Sequence, residues 1–251
     1  MAIFHGGTSL ALIRGSPRFS EDLDFMVDER ATSRLGATMQ KLRAKLDLAM
    51  SLHYPDGVVA LKGPRGKEVV TWQVVWSHPA RRNTVMVKVE FFVTRAGALE
   101  AYRATHELPS TKGVVAVTTP IPVPELVSAW ADKIKAVATR GELKWRDAYD
   151  LWWIARRLGG QEDLSDQDRL EALEVSAGLY GKTLEDVGRG LGAVVASGAL
   201  TDVSSFEADM SRWFPPSLFS RYREAGLFGE ALASATREIE RARALIVAGT
   251  A

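Results

Sequence analysis

The chain has 251 residues, of which 32 are Lys or Arg and 31 are Asp or Glu, so its formal net charge is +1. This balance excludes strongly basic nucleic-acid packaging proteins and acidic disordered chains. The absence of cysteine excludes disulfides and thiolate chemistry, and the scattered histidines lack a zinc-binding spacing. The sequence contains neither a membrane-spanning apolar run nor a signal-peptide pattern, so we expect a cytoplasmic protein without membrane contact.

The first half of the chain has the features of a mixed α/β domain. Basic residues outnumber acidic ones by 16 to 11 up to residue 120, and acidic residues outnumber basic ones by 20 to 16 thereafter. Runs of β-branched residues predict strands at 58–62, 69–76, 85–93 and 114–118. The tetrapeptide Gly63-Pro64-Arg65-Gly66 predicts the turn of a hairpin between the first two.

The second half has a helical pattern almost to its end. Three prolines within 119–124 predict a linker, and helices are predicted at about 124–139 and 144–158. A last amphipathic helix is predicted at about 228–248, after an interruption at Pro215-Pro216. Candidate N-caps of three further helices are Ser165, Thr183 and either Ser204 or Ser205. We therefore predict an α+β domain over 1–119 and an all-helical domain over 120–251.

Paired glycines near the N-terminus form the first candidate site. Residues 4–12 read FHGGTSLAL, which predicts a short strand, a glycine turn and a helix that begins directly after it. Glycine lets a ligand approach the backbone, and free N–H groups at a helix start attract anions. Gly6, Gly7, Thr8 and Ser9 are thus candidates for phosphate binding, although an ordinary tight turn explains the same residues.

Acidic residues in two predicted strands form the second candidate site. In the segment RFSEDLDFMV, which covers 18–27, alternation along a strand places Asp22 and Asp24 on one face. Neighbouring carboxylates favour a divalent cation such as Mg²⁺ between them, whereas a turn or N-cap cluster is the alternative interpretation. Glu90 shares a face of the strand at 85–93 with Lys88, and either lies at an exposed edge or belongs to a site.

Together these segments resemble the DNA polymerase β superfamily of nucleotidyltransferases. The resemblance is closer to the AbiEii-type nucleotidyltransferase toxins, which include the MenT toxins. That family also has a Lys on the first helix after the sheet and an Arg-Asp-x-x-Asp segment on the next, matched here by Lys133 and by residues 146–150. The resemblance covers residues 4 to about 158. It implies a mixed sheet with flanking helices, followed by a helical domain that completes the active-site cleft.

The resemblance also implies transfer of a nucleoside monophosphate (NMP) from a nucleoside triphosphate (NTP), with release of pyrophosphate. Two Mg²⁺ ions would be held by Asp22, Asp24 and Glu90, and Glu90 could accept the proton of the acceptor hydroxyl. Besides the glycine segment, the residues implied in binding the nucleotide are Ser20, Lys133, Arg140 and Arg146. Asp147 and Asp150 would orient Lys133, Arg146 or the sugar, unless they form only salt bridges on a helix surface.

As a family, such toxins act in bacterial toxin–antitoxin or abortive-infection systems, so an antitoxin encoded nearby is an expected partner. The resemblance suggests RNA as the acceptor, with the 3′ end of tRNA as the target and a block of translation as the outcome. Seven basic against three acidic residues over 133–157 also favour RNA. Three tryptophans in this segment, Trp145, Trp152 and Trp153, fit core packing better than base stacking. The alternatives are transfer to a protein hydroxyl or a small molecule, and an inactive binding module with the same fold.

Overall fold

A computed structural model describes residues 2–110, 118–159 and 164–249. The chain divides into two compact units. The first comprises Met1–Arg14, Ser20–Leu99 and His106–Val123, and the second comprises Gly15–Phe19, Glu100–Thr105 and Pro124–Ala251. The predicted strand at 114–118 lies outside the described residues, apart from Thr118, which has no regular structure.

Among the described residues, a mixed five-stranded sheet forms the centre of the first unit. Its order is β1-β2-β5-β4-β3, in which β2 and β5 run parallel and the other neighbours antiparallel. The strands are β1 (Ala2–His5), β2 (Asp22–Asp28), β3 (Val58–Arg65), β4 (Val69–Ser77) and β5 (Val85–Thr94). These strands and the mixed sheet confirm the predicted fold class.

In the described part of this unit, the sheet is accompanied by helices α1 (Gly6–Leu12) and α2 (Thr32–Ser51). The first was predicted from the glycine turn, whereas the second was not predicted. Leu35 and Met39 are the buried residues of α2, and they belong to one apolar cluster with Val27, Trp72, Val89 and Phe91. This cluster covers the face of the sheet that carries the odd-numbered residues of β2 and β5, and it leaves their even-numbered residues on the other face.

The predicted hairpin between β3 and β4 is present, but its turn lies further along the chain than predicted, and the predicted linker is partly a strand. Strand β3 continues through Gly63 and Pro64 to Arg65 with an irregular register, so the hairpin turns at Gly66, which has a φ of +81°. The predicted linker contains a strand, β7 (Ile121–Pro124), which forms a separate two-stranded sheet with β6 (Ala104–Glu107). Proline fits there because each strand of a two-stranded sheet is an edge strand.

The described part of the second unit is mainly helical, as predicted. Its helices are α3 (Leu126–Thr139), α4 (Trp145–Leu158), α5 (Asp166–Leu179), α6 (Leu184–Ala196), α7 (Val203–Met210), α8 (Pro216–Glu224) and α9 (Leu227–Gly249). Their core contains fully buried large side chains such as Trp130, Tyr149, Phe206 and Phe228. None of the helices among the described residues is long and apolar enough to cross a membrane.

The helix starts follow local capping chemistry. Ser165 and Thr183 cap α5 and α6 in capping boxes with Asp168 and Asp186, which confirms these two predictions. The third cap is Asp202 rather than Ser204 or Ser205, because its carboxylate accepts the N–H of Ser205. Pro215-Pro216 interrupts the chain as predicted, but it also starts α8, since proline suits the first turn of a helix.

Candidate active site

The register of two parallel strands brings the predicted carboxylates together. Asp24 lies directly beside Glu90, and Asp22 lies directly beside Lys88. Residues two apart on a strand, and direct neighbours across strands, share one face of a sheet. Asp22, Asp24 and Glu90 therefore converge on the face opposite the α2 cluster, where all three are only partly buried.

Lys88 lies between two of these carboxylates. Its Nζ is 3.0 Å from Oδ2 of Asp22 and 3.4 Å from Oε1 of Glu90. The hydroxyl of Thr71, on β4, donates to the same Oε1 atom at 3.3 Å. Partial burial lowers the pKa of Lys88, but its contacts with Asp22 and then Glu90 outweigh this effect and raise the pKa above its ordinary value. The ammonium group is therefore charged at neutral pH.

The start of α1 lies against the third carboxylate. Gly6 has a φ of +76°, and a Cβ atom at this position would be 2.6 Å from Oδ2 of Asp24. A side chain here would displace Asp24, so the glycine permits both the turn and the close approach. The Thr8 hydroxyl donates to the main-chain carbonyl of Asp22, which ties α1 to the start of β2. Gly7, Thr8 and Ser9 are buried, and Ser20 is half-buried.

The carboxylates are the oxygen donors that Mg²⁺ takes in proteins. Two of them already converge on one cation, the ammonium of Lys88. Among the described residues, no group of three or more Asp, Glu or His side chains is arranged to hold a metal ion as it stands. The three carboxylates are therefore suitable ligands for a divalent cation. The ammonium group of Lys88 contacts two of them, Asp22 and Glu90.

A second charged cluster lies within the helical unit. Lys133 on α3 places its Nζ 2.8 Å from Oδ1 of Asp147 and 2.7 Å from Oδ2 of Asp150, both on α4. Burial lowers the pKa of Lys133, but the two carboxylates outweigh this and raise it, so this lysine is charged. Asp147 and Asp150 are almost fully buried. Because they are buried, Asp147 and Asp150 do not form surface salt bridges. Their contacts support the interpretation that they orient Lys133.

Arg18 belongs to the same cluster and was not singled out from the sequence. Its Nε and Nη2 atoms donate to the two carboxylate oxygens of Asp150, each at 2.6 Å. The side chains are 2% and 0% exposed. Burial raises the pKa of Asp150, but Arg18 and then Lys133 outweigh this and lower it. Arg18 lies within the segment RFSEDLDF, and its position next to the acidic motif could have marked it as a candidate site residue. Its partner Asp150, however, is 132 residues away in the sequence.

Arg140 and Arg146 complete the basic residues predicted for the helical unit. Arg140 forms an ion pair with Asp147 and keeps 43% of its side chain exposed. The guanidinium of Arg146 lies 5.1 Å from the centre of the Trp213 ring. The ion-paired cluster contains three cations, Arg18, Lys133 and Arg140, and two carboxylates. Its net charge is therefore positive, which suits a phosphate ligand.

The tryptophans of α4 are part of the core. Trp152 and Trp153 are buried, and the ring centres of Trp145 and Phe206 are 5.7 Å apart. Arg157 stacks on Trp153, with its guanidinium carbon 3.2 Å from the ring centre. Packing, rather than base stacking, accounts for Trp152 and Trp153, as predicted.

Comparisons with known proteins agree with this architecture. The chain shares its fold with a protein from H. pylori solved as a candidate nucleotidyltransferase, at 16% identity and a TM-score of 0.52 over 96% of this chain and 86% of that one. A second solved structure, JHP933 from Helicobacter pylori, has 16% identity and a TM-score of 0.51 over 99% of this chain and 86% of that chain. No curated protein matches the sequence.

The family follows from the sequence itself. A family model described as "Nucleotidyl transferase AbiEii toxin, Type IV TA system" matches residues 1–230. The chain belongs to the AbiEii nucleotidyltransferase toxin family and is a nucleotidyltransferase. Membership in a toxin–antitoxin family implies an antitoxin partner.

Proposed function

We propose that this nucleotidyltransferase transfers NMP from an NTP to RNA in the cytoplasm, with the 3′ end of tRNA as its acceptor, and thereby blocks translation. The observation that carries the proposal is the convergence of Asp22, Asp24 and Glu90 on two parallel strands beside Gly6. An intact carboxylate set argues against an inactive binding module. The positive cluster of the helical unit favours an anionic substrate over a cationic small molecule.

Nucleotidyl transfer needs positioning and charge neutralisation more than covalent catalysis by the protein. Asp22, Asp24 and Glu90 would hold divalent Mg²⁺, two ions in the full site, which neutralises charge on the transferred phosphoryl group when bound. Glu90 accepts the proton of the acceptor hydroxyl. The segment of Gly6, Gly7, Thr8 and Ser9, together with Ser20, binds the β- and γ-phosphates.

The helical unit supplies further cations. Lys133, Arg140 and Arg146 bind the triphosphate, and Asp147 and Asp150 hold Lys133 in one orientation. Each aspartate contacts two cations, which holds the cluster in one arrangement. The cluster has one more cation than carboxylates, so it can bind the negative charge of a phosphate. In this proposal residues 1–119 form the catalytic domain and residues 120–251 form the helical domain that completes the cleft. The antitoxin is encoded beside the gene.

The test uses the purified full chain with Mg²⁺, each α-labelled NTP in turn, and total tRNA. We expect label on tRNA with at least one NTP, and no label on tRNA whose terminal diol has been oxidised with periodate. Asp24→Asn should abolish labelling, whereas Lys62→Met, which changes an exposed lysine of β3, should not. Label on protein instead of RNA would contradict the acceptor, and no transfer by the folded wild-type chain to RNA, protein or small molecule would contradict the activity.

A further inference from the structure

Lys88 occupies a position that the catalytic proposal does not use. It lies on β5 two residues before Glu90, and its ammonium contacts both Glu90 and Asp22. A divalent cation held by the same two carboxylates would compete with the ammonium group for their negative charge. If an ammonium group and a metal ion contacted the same two carboxylates at once, the two positive charges would repel each other, and each would bind more weakly.

Lys88 reduces the net negative charge of the carboxylate set. Asp22, Asp24 and Glu90 together carry −3, and Lys88 reduces the total to −2, the charge that one divalent cation neutralises. Without the lysine, three carboxylates on one face would repel each other in the metal-free protein. With it, the face is stable in the absence of metal but binds a first divalent cation less strongly.

The local structure keeps Lys88 near these carboxylates after metal arrives. Its side chain is 36% exposed, and its strand lies between β2 and β4 in the sheet. Thr71 also holds Oε1 of Glu90 from the neighbouring strand. An ammonium displaced from Asp22 and Glu90 therefore stays close to the carboxylates, where Mg²⁺ in proteins carries substrate phosphates.

We propose that Lys88 is an internal counter-ion that competes with the divalent cation for Asp22 and Glu90 and, once displaced, binds the triphosphate of the incoming NTP. This role rests on the proposed function. It couples the two binding events, because metal binding releases the cation that the nucleotide then uses. Lys88 thus weakens metal binding in the absence of NTP and strengthens the binding of NTP when the metal is present.

The first test measures metal binding alone, with Mn²⁺ as the probe and the free ion followed by electron paramagnetic resonance. Lys88→Met should bind Mn²⁺ about two- to fivefold more tightly than wild type in the absence of NTP, because partly exposed ion pairs have effects of this size. Lys88→Arg keeps the charge and should stay near wild type. Lys62→Met is the matched control, since Lys62 is exposed in the same cross-strand row, two strands from Lys88.

The second test measures binding of an α,β-methylene NTP analogue at saturating Mn²⁺, where Lys88→Met should bind it about two- to fivefold more weakly. Opposite changes in metal and nucleotide affinity are the signature of the proposed coupling, and a merely structural lysine would weaken both. If wild type binds Mn²⁺ and Lys88→Met binds it equally or less tightly, the role of Lys88 is wrong. If wild type and Asp24→Asn both fail to bind Mn²⁺, the proposed metal site is wrong, and the counter-ion role falls with it.

Discussion

At the scale of single residues, the chain contains charged groups buried among other charges. Arg18, Asp150, Lys133 and Asp147 are linked by contacts of 2.6 to 2.8 Å. Buried ion pairs are costly to form, but removing one partner is costlier, because a charge is then left without compensation. Each member of this cluster thus depends on the others, and the cost of a substitution depends on how deeply the residue is buried.

Arg18→Met should lower the free energy of unfolding by about 3 kcal/mol, because Asp150 would lose both hydrogen bonds from the guanidinium while remaining buried. The measurement is urea denaturation at neutral pH. Arg140→Met is the matched control, since Arg140 pairs with Asp147 but is 43% exposed, and it should cost less than about 1 kcal/mol. Equal losses in the two variants would contradict the argument from burial.

The second prediction at the scale of single residues concerns Lys135 on α3. It is 7% exposed, its Nζ lies 3.0 Å from the centre of the Tyr180 ring, and burial lowers its pKa to about 8. Between pH 8 and about 10.4, the ordinary lysine value, the unfolded chain binds this proton and the folded chain does not. The free energy of unfolding contributed by this group therefore rises with pH across that window.

Lys135→Met should consequently be more stable than wild type at pH 7, by about 2 kcal/mol, with the contact to Tyr180 offsetting part of the gain. The difference should shrink as the pH rises through the window above. Chemical denaturation at several pH values measures it, and Lys144→Met, which changes an exposed residue, should show no such trend. A constant difference from pH 7 to 10.5 would show that Lys135 does not titrate as proposed.

At the scale of elements, the packing of α6 against α3 depends on one glycine. A Cβ atom at Gly190 would lie 2.0 Å from the main-chain carbonyl oxygen of Ala138. The backbone cannot move aside as a side chain can, so the two helices would have to separate. Gly192, one half-turn further, has only the end of the Arg243 side chain near its hypothetical Cβ, at 3.9 Å.

Gly190→Ala should therefore destabilise the protein by about 3 kcal/mol through overpacking. Gly192→Ala should stabilise it by up to about 1 kcal/mol, because alanine is the better helix former and meets no obstacle. Thermal unfolding of the two variants gives the comparison. A similar change of unfolding temperature in both would mean that α6 and α3 can separate freely.

At the scale of the whole molecule, the family predicts an effect on the host. Expression of the chain without its antitoxin should arrest bacterial growth, and Asp24→Asn should relieve the arrest. Loss of a metal ligand removes charge neutralisation of several kcal/mol, and about 4 kcal/mol already lowers the rate about a thousandfold. Colony counts after induction measure the effect. Arrest by a folded, soluble Asp24→Asn protein would exclude nucleotidyl transfer as its cause.

The elements predicted from the sequence are those with strong local signals. Alternating β-branched residues predicted β3, β4 and β5, and capping residues predicted the starts of α5 and α6. Helix α2 was missed, because most of its surface is exposed and only Leu35 and Met39 are buried. The strand β7 was missed because its prolines indicate a linker, and only the pairing with β6 overrides that preference.

The same division holds for the candidate site. The sequence by itself determined that Asp22 and Asp24 share a face, because side chains alternate along any strand. It also determined the glycine turn before α1 and the order of the motifs that resemble the family. Only the tertiary structure decided that Glu90 lies beside Asp24, that Lys88 contacts two carboxylates, and that Arg18 binds Asp150. Strand register and packing between distant segments depend on the whole fold, so no local pattern encodes these contacts.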